Sequence, residues 1–216
     1  MARNIYNRAQ IVDANFSAFL DGWRGRSEAT VTGGSPVRAG APMSAADLRE
    51  SFESQMLSRH IDLLSRTLRT QDLCFYTIGS SGHEGNAVLG RLTRVTDPAF
   101  LHYRSGAFMV ERARYRPEID VVYDTLLSLM ASSEDPISGG RHKVWGSLPM
   151  WVVPQTSTIA SHLPKAMGMA VGIRRAAKIG LEPPVPRDSI VICSFGDASL
   201  NHSTALGAFG AAARAV

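Results

Sequence analysis

A chain of 216 residues that is 44% hydrophobic can bury a core without covalent cross-links, which excludes a disordered polymer and a disulfide-stapled miniprotein. Its formal charge of +4 is spread over scattered arginines such as Arg59, Arg66, Arg91, Arg94 and Arg116, with no basic block. Nucleic-acid binding is therefore not expected, while a mild attraction for anionic ligands is. No apolar run nears the roughly 18 residues of a membrane span and the start lacks a signal-like apolar block, so no membrane association and a cytoplasmic location are expected. Cys74 and Cys193, the two cysteines, sit in apolar segments and read as buried thiols.

In chain order, residues 24–43 are rich in Gly, Ser, Pro and Ala, and residues 1–43 read as a partly flexible N-terminal arm. Residues 44–216 read as one further domain. Ser44 offers an N-cap, Asp47 adds first-turn charge, and Leu48, Phe52, Met56, His60 and Leu64 recur at helical spacing. An amphipathic helix is predicted to run to Thr70. A short apolar segment at 73–78 leads into the glycine-rich loop Gly79-Ser-Ser-Gly82-His83-Glu84-Gly85-Asn86.

A second strand-like entry, Phe100-Leu-His-Tyr103-Arg104-Ser-Gly106, ends in groups suited to phosphate: Arg104 can grip oxygens bidentately and Tyr103 can donate a hydroxyl. A helix is expected near 119–131, then an irregular stretch over 132–155 in which His142 and Lys143 could approach a carboxylate substrate. Thr156-Ser157-Thr158-Ile159-Ala160-Ser161-His162-Leu163-Pro164 enters a small-residue helix near 165–178. The apolar run Ser189-Ile-Val-Ile-Cys193-Ser-Phe195 then stops at Gly196-Asp197-Ala198-Ser199-Leu200-Asn201. That pattern predicts a parallel strand covered on both faces, which delivers Asp197 to a ligand edge beside a helix starting near Ser203. Phosphate with a hard cation suits such an edge. The fold class expected is α/β, a parallel sheet with helices on both faces.

Taken together and in this order, the four loops resemble the thiamine-diphosphate-dependent alpha subunits of 2-oxo acid dehydrogenase complexes, from about Phe75 to the end. Gly82-His83-Glu84-Gly85 is similar to that family's Gly-x-Glu-Gly loop, and Tyr103-Arg104 to its diphosphate-holding pair. Residues 157–164 are similar to the segment that contacts the aminopyrimidine and, in the branched-chain type, binds potassium. Gly196-Asp197-Ala198-Ser199-Leu200-Asn201 is similar to the start of the thiamine diphosphate motif.

The resemblance implies a thiamine-diphosphate-binding fold truncated at the C-terminus, with Asp197 as magnesium ligand. It implies cofactor binding by Tyr103, Arg104, Ser157, Ile159, Gly196, Asp197, Ala198, Ser199 and Asn201. Thr156, Thr158 and Ser161 become candidate potassium ligands, and His83 and His162 candidate catalytic groups. The implied reaction is oxidative decarboxylation of a 2-oxo acid with acyl transfer to a lipoyl-bearing acyltransferase. A beta subunit or fused beta half would complete the site in a homo- or hetero-oligomer, and the segment alone would be inactive.

Ala198 stands where the family has glycine, and the downstream Asn-Asn pair does not occur before Val216. Alternative readings stay open: Asp197 as a helix cap, Arg104 as an ion-pair partner, His162 as a hydrogen-bonded histidine at a helix start. At the level of function the alternatives are a transketolase-like or acetoin-type enzyme, or a non-catalytic paralogue that keeps the fold. No Gly-x-Gly-x-x-Gly follows the Ile190 run, which speaks against a dinucleotide site.

Overall fold

A computed structural model describes residues 8–25, 32–77, 79–141 and 143–215. The chain divides into two compact units, residues 1–45 and 46–216.

In the first unit, helix α1 (Arg8–Gly22) occupies part of the segment read as an arm. Its apolar side chains Val12, Phe16, Phe19 and Leu20 are exposed, as is Trp23 just past its end, with Phe19 and Trp23 in ring contact at 5.5 Å. A short antiparallel bridge joins Pro36 to Ser44.

The second unit is helix-rich around a small parallel sheet. Helix α2 (Ala45–Thr70) begins one residue after Ser44 and ends at Thr70, as its spacing predicts. Its orientation is the reverse of the expected one. The buried face is Ser51, Ser54, Ser58, Ile61, Asp62 and Ser65, while Leu48, Phe52, Met56 and Leu64 lie exposed. Close approach explains the choice: α2 crosses the start of helix α4 (Gly106–Ala113), where a β-carbon on Gly106 would lie 2.6 Å from Ser58 Oγ. Only a small-residue face fits there.

Helix α3 (Ala87–Leu92) packs on α4. Helix α5 (Val121–Leu129) is capped by Asp120, whose carboxylate accepts from the Tyr123 amide at 3.0 Å. Helices α6 (Leu163–Ala176) and α7 (Ser203–Arg214) pack together through Leu163, Ala205 and Ala208.

Strands β1 (Ala99–Phe100) and β2 (Ile192–Cys193) pair in parallel, Ala99 opposite Ile192 and Phe100 opposite Cys193. On the other edge of β1 a parallel bridge joins Ala99 to Val152: the Ala99 amide donates to the Trp151 carbonyl and the Val153 amide to the Ala99 carbonyl, at 2.8 and 2.9 Å. Three chain segments thus run the same way with helices between them, the arrangement parallel pairing demands. Below them lies the main core, built on Leu101, Phe108, Leu129, Met150 and Val152.

The coarse α/β reading is met, with a sheet smaller than expected. The run at 189–195 is not covered on both faces, since Ile190 is 56% exposed and Val191 and Cys193 are half-buried. Val191, Cys193 and Phe195 line a shallow groove with α6 and α7 residues, so only one face of β2 has found its partner. Cys74 is buried and Cys193 half-buried, both free thiols. No helix of the described residues is long and apolar enough to cross a membrane.

Candidate functional site at the strand ends

Parallel pairing sends three of the four sequence loops out at one edge. After Phe100 the chain gives His102, Tyr103 and Arg104; after Val152 it gives Thr156 to His162; after Cys193 it gives Ser194 to Asn201. The fourth loop, 79–86, is fixed from α2. Asp62, fully buried, accepts from the Gly79 amide at 2.8 Å and pairs with Arg66 at 2.7 Å. Glu84 pairs with Arg59 and accepts from the Gly82 amide at 2.7 Å. Glu84 is therefore spent on shaping its own loop.

Side-chain bonds then join the loops. Asn86 donates to Ser105 Oγ and Ser194 Oγ, both at 3.2 Å, and these two hydroxyls lie 3.2 Å apart. His162 Nε2 meets the Ser194 carbonyl at 2.8 Å. The rings of His83 and His102 stack at 4.6 Å with planes 10° apart, and His102 lies 4.0 Å from the Tyr103 ring. Arg104 lies 5.0 Å over the Tyr103 ring and donates to the Gly79 carbonyl. Gly79 has φ +58°, and a β-carbon there would collide with the Arg104 guanidinium.

His83, His162, Tyr103 and Arg104 are thus brought together, and Asp197 is close enough to oppose the lowering of the His83 pKa. Asp197 is exposed at the start of a 3-10 turn, Asp197–Asn201, and accepts no hydrogen bond among the described residues. The helix of that region starts at Ser203 and is capped by His202, whose ring accepts from the Thr204 amide at 3.2 Å. Asp197 is not its cap. Ala198 and Asn201 are exposed and Ser199 buried; a β-carbon on Gly196 would sit 3.4 Å from His102 Nε2.

The 156–161 turn stands partly apart. Ile159 is 55% exposed, Ser157 is exposed, and Thr156 Oγ1 lies 2.9 Å from Thr158 Oγ1. Ser161 Oγ donates to the Thr158 carbonyl at 3.0 Å. These are hard oxygen donors, but the contacts they make are to one another. Ala160, fully buried, carries φ +61°, a strained setting two residues before His162.

The electrostatics favour an anion. Arg104 is half-buried and has no carboxylate within ion-pair distance among the described residues, unlike Arg59, Arg66, Arg91, Arg94 and Arg114. The histidines around it are held neutral. Burial, then the Arg104 charge, lowers the His83 pKa against Glu84 and Asp197; burial outweighs the Ser194 bond at His162. His162 Nδ1 is buried with no hydrogen-bond partner, so one acceptor is available at the strand ends. Burial, with His83, Arg104, His162 and Lys143 nearby, pushes His102 down to about 4.

His102 therefore binds fewer protons folded than unfolded between about pH 4 and its ordinary value near 6.5. Stability should rise with pH through that window and be lost as pH falls through it. His102→Gln should flatten this acid limb by about 1–2 kcal/mol, discounted for partial solvation, in urea titrations across the window. An unchanged limb would place the acid sensitivity elsewhere.

Sequence reasoning did not assign His102 or Asn86 a role, nor the α2 pins Arg59 and Asp62. Their signal is weak because α2 and the loops are joined only in three dimensions. The chain matches no protein-family model and no curated protein. The site's chemistry must carry the functional reading.

Proposed function

We propose that this strand-end cluster is the diphosphate and magnesium part of a thiamine diphosphate site in a 2-oxo acid dehydrogenase. One observation carries the reading: Arg104, half-buried and stacked on Tyr103, has no acid partner among the described residues at an edge where Asp197 is also unbonded. A guanidinium held by a carbonyl and an aromatic face is poised for an external anion.

In this reading Arg104 neutralises diphosphate charge, Asp197 offers its carboxylate to magnesium, and Asn201 contacts the cofactor. One carboxylate suffices, because magnesium usually keeps waters and phosphate oxygens in its shell. Among the described residues there is no cluster of three acidic, His or Cys side chains able to hold a metal alone, which suits a cation that arrives with its phosphate. The backbone of Ser157 and Ile159 would orient the aminopyrimidine, and Thr156, Thr158 and Ser161 would hold potassium.

Thiamine diphosphate, when bound, supplies the electron sink for 2-oxo acid decarboxylation. The chain's own groups orient and exclude: neutral His83 and His102 form a stacked wall beside Arg104, and the unpartnered His162 Nδ1 would accept from a donor on the cofactor. A beta subunit or fused beta half would complete the site, and a lipoyl-bearing acyltransferase would take the acyl group.

The test is calorimetric titration of thiamine diphosphate into the full-length protein, with and without magnesium. Binding is expected only with magnesium, and Asp197→Asn should weaken it about tenfold or more by removing the ligand charge. Absence of binding to the folded wild type would replace this reading with a non-catalytic paralogue.

A further inference from the structure

Behind the Tyr103–Arg104 turn lies a cavity of about 260 Å³ between α4, α5 and the irregular segment before Val152. Its walls are mainly apolar, with Met109, Ile119, Val121, Ile137 and Trp145 among them, and Lys143 also lines it. Lys143 is 4% exposed, its Nζ lies 3.9 Å from the Trp145 ring, and no carboxylate of the described residues is within ion-pair distance. Asp124, on the α5 wall, is also outside that distance, and burial with Asp120 and Asp135 raises its pKa.

A structural role does not account for this lysine. Among the described residues its one hydrogen bond goes to the Tyr103 carbonyl at 3.4 Å, and Trp145 Nε1 already donates to that oxygen at 3.0 Å. Burial costs the ammonium enough to push its pKa down to about 7. A buried cation without an anion is costly unless something pairs with it.

We infer that this cavity is a second ligand site, which takes a small carboxylic acid with its apolar tail on Met109, Ile119 and Ile137 and its carboxylate on Lys143. The size is just below that of ordinary ligand pockets, and the pattern of apolar walls with one convergent polar group is the usual one. The inference does not rest on the cofactor reading: its probe has no oxo group and its walls are not the strand-end loops.

Calorimetric titration of isocaproate and its neutral isostere isocaproamide into the full chain tests it. The acid should bind wild type at least tenfold tighter than the amide. Lys143→Met should bring the acid to the amide's level, and Ile137→Trp, which fills the cavity from a half-buried wall position, should abolish binding of both. Equal affinity of acid and amide for wild type would overturn the proposal. So would no acid binding at millimolar concentration, or an Ile137→Trp variant that binds the acid as wild type does. The comparison on wild type holds even if a variant fails to fold.

Discussion

Replacing Arg104 with methionine should weaken magnesium-dependent thiamine diphosphate binding by roughly a hundredfold or more while leaving the protein folded. The guanidinium would supply a charge-assisted fork to phosphate oxygens from a half-buried position, and losing one partner of such a pair costs about 2–5 kcal/mol. At about 3 kcal/mol the dissociation constant rises roughly 150-fold. Folding should suffer far less. The internal hydrogen bond lost is the one to the Gly79 carbonyl, worth about 1 kcal/mol, together with the stack on Tyr103. Arg104→Lys keeps the charge but not the planar fork or the stack, so an intermediate loss near tenfold is expected. Titrating both variants beside a thermal melt separates the two effects. Wild-type affinity in Arg104→Met would remove the residue from the site.

The strand-end loops were legible in the sequence because each marks itself locally: an apolar run stops, and glycines or polar groups follow. Parallel pairing of β1 with β2 and with Val152 is what turns three such marks into one edge, and helices of the right length between them imply it. The helix at Ala45–Thr70 was legible from its cap and spacing, while those at Val121–Leu129 and Ser203–Arg214 were placed only approximately and their caps, Asp120 and His202, were not.

What failed was the side a helix buries. Leu48, Phe52, Met56 and Leu64 make a convincing apolar stripe, yet the serine face wins because the close approach at Gly106 leaves no room for larger side chains. Periodicity reports where apolar groups are, not which neighbour is near. Partner choice was equally hidden: Glu84 sits in a candidate ligand loop, but Arg59 claims it from 25 positions away. Lys143, noted only as able to approach a carboxylate, proves to be a buried cation that lines a cavity.

Arg112 carries the largest expected effect on stability. It is fully buried on α4 and donates to the Asp97 carbonyl at 2.9 Å, the Met150 carbonyl at 3.0 Å and Thr93 Oγ1 at 2.9 Å, with its guanidinium 4.4 Å over the Phe108 ring. Burial pushes its pKa down to about 10, so it stays charged at neutral pH. Asp97 immediately precedes Pro98 and β1, and Met150 precedes the segment paired with it. One side chain therefore ties together the entries of two parallel segments whose exits form the candidate site. Arg112→Met fills similar space but strands two buried carbonyls, each costing about 1–3 kcal/mol when left unpaired, while the Thr93 hydroxyl keeps its bond to the Leu89 carbonyl. Partial relaxation brings the expected total to about 3–5 kcal/mol, against about 5–15 for a whole domain. With a urea slope of about 2 kcal/mol per molar, the unfolding midpoint should fall by roughly 2 M at unchanged slope. Arg112→Lys reaches fewer of the acceptors and should fall between. Because the loops depend on where these segments lie, residual folded Arg112→Met should also bind thiamine diphosphate more weakly than Arg112→Lys. A midpoint within about 0.5 M of wild type would mean that water replaces the guanidinium without loss, and the two segments would need another anchor.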